Sequence, residues 1–350
     1  MKTIKKLAVL AFSLPLFFTS CNSDDNEGGH ISKGDFENGF FVLNEGNSNL
    51  STASVTFVGN DGIVEQDIFR TINPDADQIG TYLQNIFFDD TRAFIVSGSA
   101  NMVTVVNRYT FEYITTITTN LSNPRYGVTS SGKAFVTNAG NFSATGGSVT
   151  VINLSDYSTS KLELNTTAER IIEEDGKVYV ANGYFGNGNT ITVINGSTGT
   201  VQATIDLGTG NIPSTLDEEN GILYVLTKTK ILKIDTSNNS VSGTIEIPST
   251  ITSPNNLTIE DNKIYFTGNS TSVYALGLNA TTISSIPVLT YESNSQWGAM
   301  YGFAVEDGKI YVADAGDFAS DSEIYIYSTS GTLLSTYTVG VGPNGFYFND

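Results

Sequence analysis

The sequence predicts an all-β protein, a seven-bladed β-propeller whose C-terminal strand closes blade one. Three observations support this prediction. A four-strand pattern of alternating apolar and polar residues recurs seven times, each repeat contains one aromatic residue at a fixed place, and the chain ends in a strand without a blade of its own. A four-stranded sheet cannot bury both faces alone, so the repeats must stack around an axis.

The second strand of each repeat is its clearest element. The seven copies read FFVLN, AFIVS, AFVTN, VYVAN, LYVLT, IYFTG and IYVAD, and their aligned aromatics are Phe41, Phe94, Phe135, Tyr179, Tyr224, Tyr265 and Tyr311. Neighbouring aromatics are 41 to 53 positions apart, which is typical of four-stranded blades. A β-solenoid is the alternative, but its repeats are shorter and more uniform. The repeat therefore favours one domain, although the length allows two.

The remaining strands and turns follow from the same pattern. Third strands such as SVTVIN and fourth strands such as TVQATIDL come after each second strand. Short acidic turns, such as EEDGK from Glu173 and EDGK from Glu306, have the composition of tight hairpins between first and second strands. Because consecutive turns of a meander lie at opposite edges, the longer second-to-third connections and the crossings between blades share the other face.

The two ends of the repeat array complement each other. The terminal segment GPNGFYFND reads as a first strand with no blade after it, and the first blade begins at FFVLN with no clear first strand before it. We expect the terminal strand to complete blade one.

The N-terminal segment predicts export and lipid attachment. Lys2, Lys5 and Lys6 precede an apolar run from Leu7 to Phe18, which is too short to span a bilayer and is typical of a signal peptide. The run ends in FTSC, and Cys21 is the only cysteine of the chain. We assign residues 1–20 to a lipoprotein signal peptide. A plain secretory signal with an incidental cysteine is the alternative.

Residues 21–35 are predicted to form a lipidated, acidic, disordered tether, and residues 36–350 the propeller. The segment NSDDNEGG after Cys21 is polar and charged. Acidic residues at this place resemble the signal that sends lipoproteins of Bacteroidota to the outer cell surface. A lipid anchor would hold the protein on the outer membrane without spanning it, facing the cell exterior. The net charge of −19 disfavours nucleic acids and anionic membrane surfaces as partners.

Candidate binding residues lie in the second-to-third connections and the blade crossings. Flat rings with amide and guanidinium donors suit a large, partly apolar ligand. The alternative is that the aromatics pack between blades. The segment NGYFGNGNT from Asn182 reads as a flexible loop of this face. The predicted ligand-binding residues are Tyr82, Arg125, Tyr126, Phe142, Arg170, Tyr184, Phe185, Asn256, Trp297, Tyr301, Phe318 and Asn344.

Reactive side chains are scarce in the predicted domain. The only histidine, His30, falls in the tether, so the domain has no imidazole base and no thiol nucleophile. The loop DAGDFASDSE holds four acids that are weak candidates for a Ca²⁺ site, although a solvated acidic loop is the simpler interpretation. These acids are Asp314, Asp317, Asp321 and Glu323. We expect no cofactor, and no catalytic residue is assigned.

The strands KAFVTN and KVYVAN resemble the YVTN-type, YncE-like propeller repeat. The opener FFVLNEGN and the crossing NPRYG, together with the lipoprotein signal, resemble the surface propeller lipoproteins of Bacteroidota that capture vitamin B12 and related corrinoids. This resemblance covers roughly Phe40 to the C-terminus. It implies ligand transfer to a TonB-dependent outer-membrane transporter. The matched positions are Asn44, Glu45, Gly46, Asn47, Pro124, Arg125 and Tyr126.

The sequence thus favours a binding protein over an enzyme. We expect a surface lipoprotein that binds cobalamin or another corrinoid on the long-loop face. Capture of an iron-siderophore or a glycan is the nearest alternative. A Ca²⁺-dependent hydrolase that uses acids at the axis, and a protein-interaction scaffold without a small ligand, are alternatives of other classes.

Overall fold

The computed structural model describes residues 32–47, 52–184 and 186–349, and it confirms the predicted architecture. Seven four-stranded antiparallel sheets form the blades. The inner strands of neighbouring blades contact one another in an unbroken cycle, so the blades form a closed ring. Within the described residues, no helix is long and apolar enough to cross a membrane.

The first four blades follow the chain from its first strand. Blade one contains β1 (Gly39–Asn44), β2 (Ser54–Gly59) and β3 (Val64–Glu65). A short helix, α1 (Ile68–Ile72), leads to blade two. Blade two comprises β4 (Leu83–Phe88), β5 (Arg92–Ser97), β6 (Met102–Asn107) and β7 (Tyr113–Ile117). Blade three comprises β8 (Pro124–Ser130), β9 (Lys133–Asn138), β10 (Ser148–Asn153) and β11 (Thr159–Glu163). Blade four comprises β12 (Ile171–Glu174), β13 (Lys177–Tyr184), β14 (Asn187–Asn195) and β15 (Thr200–Asp206).

The last three blades complete the ring. Blade five comprises β16 (Thr215–Glu219), β17 (Ile222–Leu226), β18 (Lys230–Asp235) and β19 (Ser240–Glu246). Blade six comprises β20 (Asn255–Glu260), β21 (Lys263–Gly268), β22 (Ser272–Gly277) and β23 (Leu289–Thr290). Blade seven comprises β24 (Gly302–Glu306), β25 (Lys309–Asp314), β26 (Ser322–Ser328) and β27 (Leu333–Val339). The last strand, β28 (Pro343–Asn349), belongs to blade one.

The hydrophobic core is divided among the junctions between blades. Each of the seven clusters of buried side chains joins two neighbouring sheets. The seven aligned aromatics of the second strands are all buried. Phe36 is buried against Phe41, Phe57 and Phe111, so the core begins just before β1. Stability therefore comes from burial between sheets, as the alternating pattern predicts.

The ring closes as predicted. β28 lies at the inner edge of blade one and pairs antiparallel with β1, with Gly39 opposite Asn349 and Phe41 opposite Tyr347. Phe346 and Phe348 pack against Phe40 of β1 and against Tyr311 of blade seven. The C-terminal strand thus contributes to both neighbouring junctions.

Two elements differ from the sequence prediction. The segment from Asn182, predicted as a flexible loop, continues the β13–β14 hairpin, with Tyr184 opposite Asn187 after a register shift. Gly188 allows this course because its φ is 85° and a Cβ there would lie 1.9 Å from the Asn182 carbonyl oxygen. The helix α1 was not predicted, because five residues are too few to show a helical period.

The strand directions separate two faces of the ring. The short first-to-second hairpins lie on one face, and Glu173 and Glu218 stand in two of them. The starts of the inner strands and the second-to-third connections lie on the opposite face, which we call the crossing face. The predicted binding residues that the structure describes are on or next to this face.

Candidate binding site at the mouth of the propeller axis

The inner strands bring several predicted residues together at the axis. Arg125 and Tyr126 stand at the start of β8, Arg170 directly precedes β12, Tyr301 directly precedes β24, and Asn344 is the second residue of β28. A register shift between Pro124 and Gly127 frees the start of β8 from regular pairing. We call the surroundings of these five residues the axis mouth.

Arg125 is held by a carboxylate and an amide from two other blades. Its Nε lies 3.1 Å from both carboxylate oxygens of Glu169, and its Nη2 lies 2.7 Å from Glu169 Oε1. Its Nη1 donates to Gln84 Oε1 of blade two. Desolvation is the largest influence on the pKa of Arg125 and lowers it, but attraction to Glu169 and their hydrogen bonds outweigh it and raise the pKa. Arg125 is therefore a fixed, neutralised cation.

A second carboxylate at the axis mouth is bound by a tyrosine. Tyr301 donates its hydroxyl to Glu45 Oε2, and the backbone N–H of Glu45 donates to the Gly342 carbonyl at 2.8 Å. Burial raises the pKa of Glu45, although the hydrogen bond from Tyr301 and the charge of Arg125 oppose it. Burial, followed by the charge of Glu45, raises the pKa of Tyr301. This pair links blade one to the start of blade seven.

Aromatic rings surround the two arginines. The guanidinium of Arg170 lies 4.1 Å from the centroid of Tyr126, and that of Arg125 lies 5.5 Å from the centroid of Tyr184. Tyr184 in turn contacts Phe142, with 5.9 Å between the ring centroids. On the opposite side, Tyr301 and Phe318 meet edge to face at 4.9 Å. Five of the predicted aromatics thus form two groups, Tyr126 with Tyr184 and Phe142 on one side of the axis mouth and Tyr301 with Phe318 on the other.

One amide group at the axis mouth has an unused acceptor. Asn344 Nδ2 donates to the Leu83 carbonyl at 2.6 Å. Its Oδ1 is buried and has no hydrogen-bond partner among the described residues. A buried acceptor without a donor is costly, and an ordered water is the usual partner of such an atom.

Three cavities open on or near this face. A cavity of about 180 Å³ on the axis is lined by Asn85, Tyr126, Arg170 and Phe303, among others. A pocket of about 510 Å³ lies beside it and shares Arg170 as a lining residue. A third, of about 760 Å³, lies on blade seven and includes Trp297 and Phe318 in its lining. The first two share Arg170 and adjoin the axis mouth, whereas the third lies apart on blade seven.

Some predicted residues do not join the axis mouth. Trp297 is 77% exposed and lines the blade-seven cavity, and Tyr82 is exposed at the start of blade two. Asn256 lines the axis cavity of about 180 Å³, but its amide already donates to the Met300 carbonyl at 3.3 Å and braces blade six against blade seven. Phe185 and the lipidation candidate Cys21 lie outside the described residues.

The four acids proposed as weak metal candidates do not form a metal site. Asp314 binds the Tyr291 hydroxyl and the Gly316 N–H, and Asp317 accepts from the N–H groups of Ala319 and Ser320. Their oxygens are thus used in local turns. Across residues 32–47, 52–184 and 186–349, no group of three or more histidine, cysteine or acidic side chains is placed to hold a metal ion. Asp321 and Glu323, the two remaining candidates, also belong to no such group of described residues.

The residues matched by the family resemblance have different roles. Asn44 is buried and donates to Ser54 and Thr56, so its role is structural. Asn47 donates to the Phe318 carbonyl at 3.1 Å and positions a crossing-face loop. Glu45 and the Arg125–Tyr126 pair belong to the axis mouth.

Sequence reasoning missed three contributors to the site. Glu169 and Gln84 hold Arg125, and Lys228 lines the pocket of about 510 Å³. Two of them could have been found from their position in the sequence, because Gln84 lies beside the start of an inner strand and Glu169 directly precedes Arg170. Lys228, in a second-to-third connection, had no such indication.

Comparisons with known proteins define a family and a fold. A family model described as a domain of unknown function, DUF5074, matches residues 38–346. No curated protein matches the sequence. A quinonprotein alcohol dehydrogenase-like protein from Bacteroides thetaiotaomicron VPI-5482 has a similar structure, with 17% identity, a TM-score of 0.68, and coverage of 90% of this chain and 79% of that one.

Two further solved structures show the same fold. A functionally unknown protein from Desulfotomaculum acetoxidans DSM 771 is 11% identical, with a TM-score of 0.67 and coverage of 89% of this chain and 100% of that one. BamB from Moraxella catarrhalis is 13% identical, with a TM-score of 0.54 and coverage of 89% and 91%. At these identities the likeness concerns the propeller fold alone.

Proposed function

This chain belongs to the DUF5074 family, a domain of unknown function, and from that premise we propose that it is a non-enzymatic binding protein that captures a large ligand at the axis mouth. The observation that carries the proposal is the convergence of Arg125, Tyr126, Arg170, Tyr184 and Tyr301 from three blades. Aromatic rings and guanidinium groups beside open cavities are the usual composition of a ligand site.

Binding fits this arrangement better than hydrolysis. Glycoside cleavage by acids needs one carboxyl group as a proton donor and a second as a base or nucleophile. At the axis mouth, Glu169 is bound by Arg125 and Glu45 is bound by Tyr301. Both carboxylates are thus engaged in holding the site together, and their role in this proposal is to orient Arg125 and Tyr301.

The ligand we propose is cobalamin or another corrinoid. A corrinoid has a broad ring with amide side chains, which suits contacts with tyrosine rings and with amide and guanidinium donors. Tyr126 and Tyr184 offer the rings, and Asn344 and Asn256 offer amides near the axis. The family resemblance of the FFVLNEGN and NPRYG segments is the reason to test corrinoids before siderophores.

We further propose that the protein is a lipoprotein of the outer membrane, anchored through Cys21 and facing the cell exterior. It would pass its ligand to a TonB-dependent transporter. The support is the sequence of residues 1–35 and the family resemblance. Protease treatment of intact cells should degrade the wild-type protein, and Cys21→Ala should release it from the membrane fraction. A wild-type protein protected until the cells are lysed would contradict surface display.

Calorimetric titration of residues 32–350 with cyanocobalamin tests the ligand. We expect one-to-one binding, and we expect Tyr126→Ala and Tyr184→Ala each to weaken it by about tenfold or more, since anchor aromatics contribute most of an interface's energy. Tyr113→Ala is the control, because Tyr113 is exposed on an outer strand. The corrinoid assignment fails if no heat is released and no colour remains with the protein after desalting.

Glycan capture is the second candidate function, and Trp297 favours it. Its exposed indole stands over the blade-seven cavity, whose lining offers hydroxyl, amide and carboxylate groups for sugar hydroxyls. Trp297 is the only tryptophan of the chain, so its fluorescence reports on this cavity alone. A saturable change in its emission with an oligosaccharide, absent with cyanocobalamin, would support glycan binding. A flat response to an oligosaccharide panel would exclude it.

A further inference from the structure

One pocket of the crossing face carries an excess of positive charge although the whole chain is strongly acidic. The pocket of about 510 Å³ is lined by Arg170 and Lys228, and its single acidic lining residue is Glu169. Glu169 already forms the close ion pair with Arg125, with 2.7 Å between Nη2 and Oε1. The net charge of the chain is −19, so an uncompensated pair of cations is unusual here.

Arg170 is positioned without being neutralised. Its guanidinium lies over the ring of Tyr126, and within residues 32–47, 52–184 and 186–349 it has no hydrogen bond or ion pair. Stacking fixes the plane of the guanidinium while leaving its N–H groups for a ligand. A planar fork of this kind binds a carboxylate or phosphate through two parallel hydrogen bonds.

Lys228 supplies the second charge from the neighbouring blade. It is exposed in the connection between β17 and β18, and its ammonium has no ion-pair partner in the described part of the chain. Tyr184, Ile212 and Pro213 line the same pocket and form its apolar wall. Gly183 places the β13–β14 hairpin against this wall, since a Cβ there would lie 2.1 Å from the Pro213 carbonyl oxygen.

We propose that this pocket binds the anionic group of the ligand, a carboxylate or a phosphate, through Arg170 and Lys228. This proposal rests on the proposed function for the location of the binding site. It adds the chemical class of the ligand group that is bound there. An apolar wall beside two cations selects an organic anion over a bare ion. The acidic remainder of the surface repels anions elsewhere, which adds to selectivity.

Titration calorimetry with citrate and with pyrophosphate tests the pocket directly. Residues 32–350 are used, because they contain the complete ring including β28. We expect at least one of these anions to bind at low ionic strength. The anion that binds more tightly shows whether the pocket prefers a carboxylate or a phosphate. The double variant Arg170→Gln/Lys228→Gln should bind at least about tenfold more weakly. Lys263→Gln, an exposed lysine at the start of β21 on the opposite face, should bind as the wild type does.

The outcomes separate this proposal from the corrinoid assignment. Absence of binding by the wild type, or equal weakening by Lys263→Gln, overturns the anion pocket. If Arg170→Gln disturbs Tyr126 and lowers the melting temperature, Lys228→Gln and Lys228→Glu carry the test, with the charge reversal expected to weaken binding further. Cyanocobalamin is titrated into the same proteins. Anion binding without corrinoid binding leaves the pocket standing and removes the corrinoid, and the reverse result removes only the pocket.

Discussion

Arg125 and Arg170 lie at the starts of the inner strands of two neighbouring blades, and their roles differ because their contacts differ. Arg125 is bound by Glu169 and Gln84, so it joins three blades and carries no free charge to a ligand. Arg170 is stacked on Tyr126 and keeps its N–H groups. The two identical side chains, 45 positions apart in the sequence, thus have different partners, and only Arg170 lines the proposed anion pocket.

Asp217 is the residue whose ionisation most clearly opposes folding. It lies on β16, accepts hydrogen bonds from the N–H groups of Ile259 at 2.7 Å and Glu218 at 2.8 Å, and joins β16 to β20. Burial raises its pKa from the ordinary 3.8 to about 6, and these hydrogen bonds only partly offset that effect. The folded state therefore holds a proton that the unfolded state releases between these two values.

Because the folded pKa is raised, Asp217 costs stability as the pH rises from 4 to 7. We expect the melting temperature of Asp217→Asn, relative to that of the wild type, to increase over this range. The check is thermal unfolding of both proteins at several pH values. Asp90→Asn is the control, since Asp90 is exposed and its loss changes the net charge equally. A melting-temperature difference that stays constant with pH would refute the assignment.

The positions of Arg125 and Arg170 beside the axis could be predicted from the sequence, but their partners could not. Arg125 and Arg170 were predictable because each stands where an inner strand begins, and a propeller places these points around its axis. Which acid neutralises which arginine depends on distances across the axis. Glu169 adjoins Arg170 in the sequence but binds Arg125, 44 positions away, and no local pattern indicates that choice.

At the scale of the strand, a buried asparagine repeats at the end of several second strands. Asn44, Asn138 and Asn182 are fully buried and bond to threonines of the third strand, Thr56, Thr150 and Thr192. Asn182 also donates to the Thr167 carbonyl at 2.7 Å. Each amide therefore satisfies polar groups where the blade leaves its regular pairing.

Replacing Asn182 by leucine should destabilise the protein strongly. The change leaves the Thr192 hydroxyl and the Thr167 carbonyl buried without partners, at a cost of about 1–3 kcal/mol for each group. Chemical denaturation measures the change in the free energy of unfolding. Asn279→Leu is the matched control, because Asn279 is exposed, and it should change that free energy by less than about 0.5 kcal/mol. Similar effects of the two substitutions would show that the amide has no such role.

Strands could be predicted where apolar and polar residues alternate regularly along the sequence. Second strands were recognised because a period of two and an aromatic residue recur in all seven blades. The end of the β13–β14 hairpin, from Asn182, was predicted as a loop because its glycines and asparagines are typical of turns, whereas pairing between the two strands keeps it extended. Strand pairing depends on two segments, so it cannot be predicted from the sequence of either segment alone.

At the scale of the whole molecule, stability is shared around a ring. Every hydrophobic cluster joins two blades, and the clusters beside blade one include residues of β1, β2 and β28. A ring of this kind has no free end, because each sheet is covered on both sides by its neighbours. Blade one is the only place where this cover depends on pairing between the two ends of the described chain.

Deletion of residues 343–350 should therefore open the ring. β1 would lose its inner neighbour, and Phe40 and Tyr311 would lose the rings of Phe346 and Phe348. Whole domains are stable by only about 5–15 kcal/mol, and this deletion removes a complete strand and four contacts between aromatic rings. We expect loss of cooperative thermal unfolding and exposure of apolar surface, measured by calorimetry and dye binding.

A peptide of residues 343–350 added to the truncated protein tests whether closure itself is responsible. An added strand can pair with an exposed sheet edge, so the peptide should restore a cooperative transition in a concentration-dependent way. A peptide of the same composition in scrambled order should not, because the apolar residues would face away from the junction. If the truncated protein unfolds at the wild-type temperature without any peptide, blade one is stable with three strands, and the C-terminal strand is dispensable for the fold.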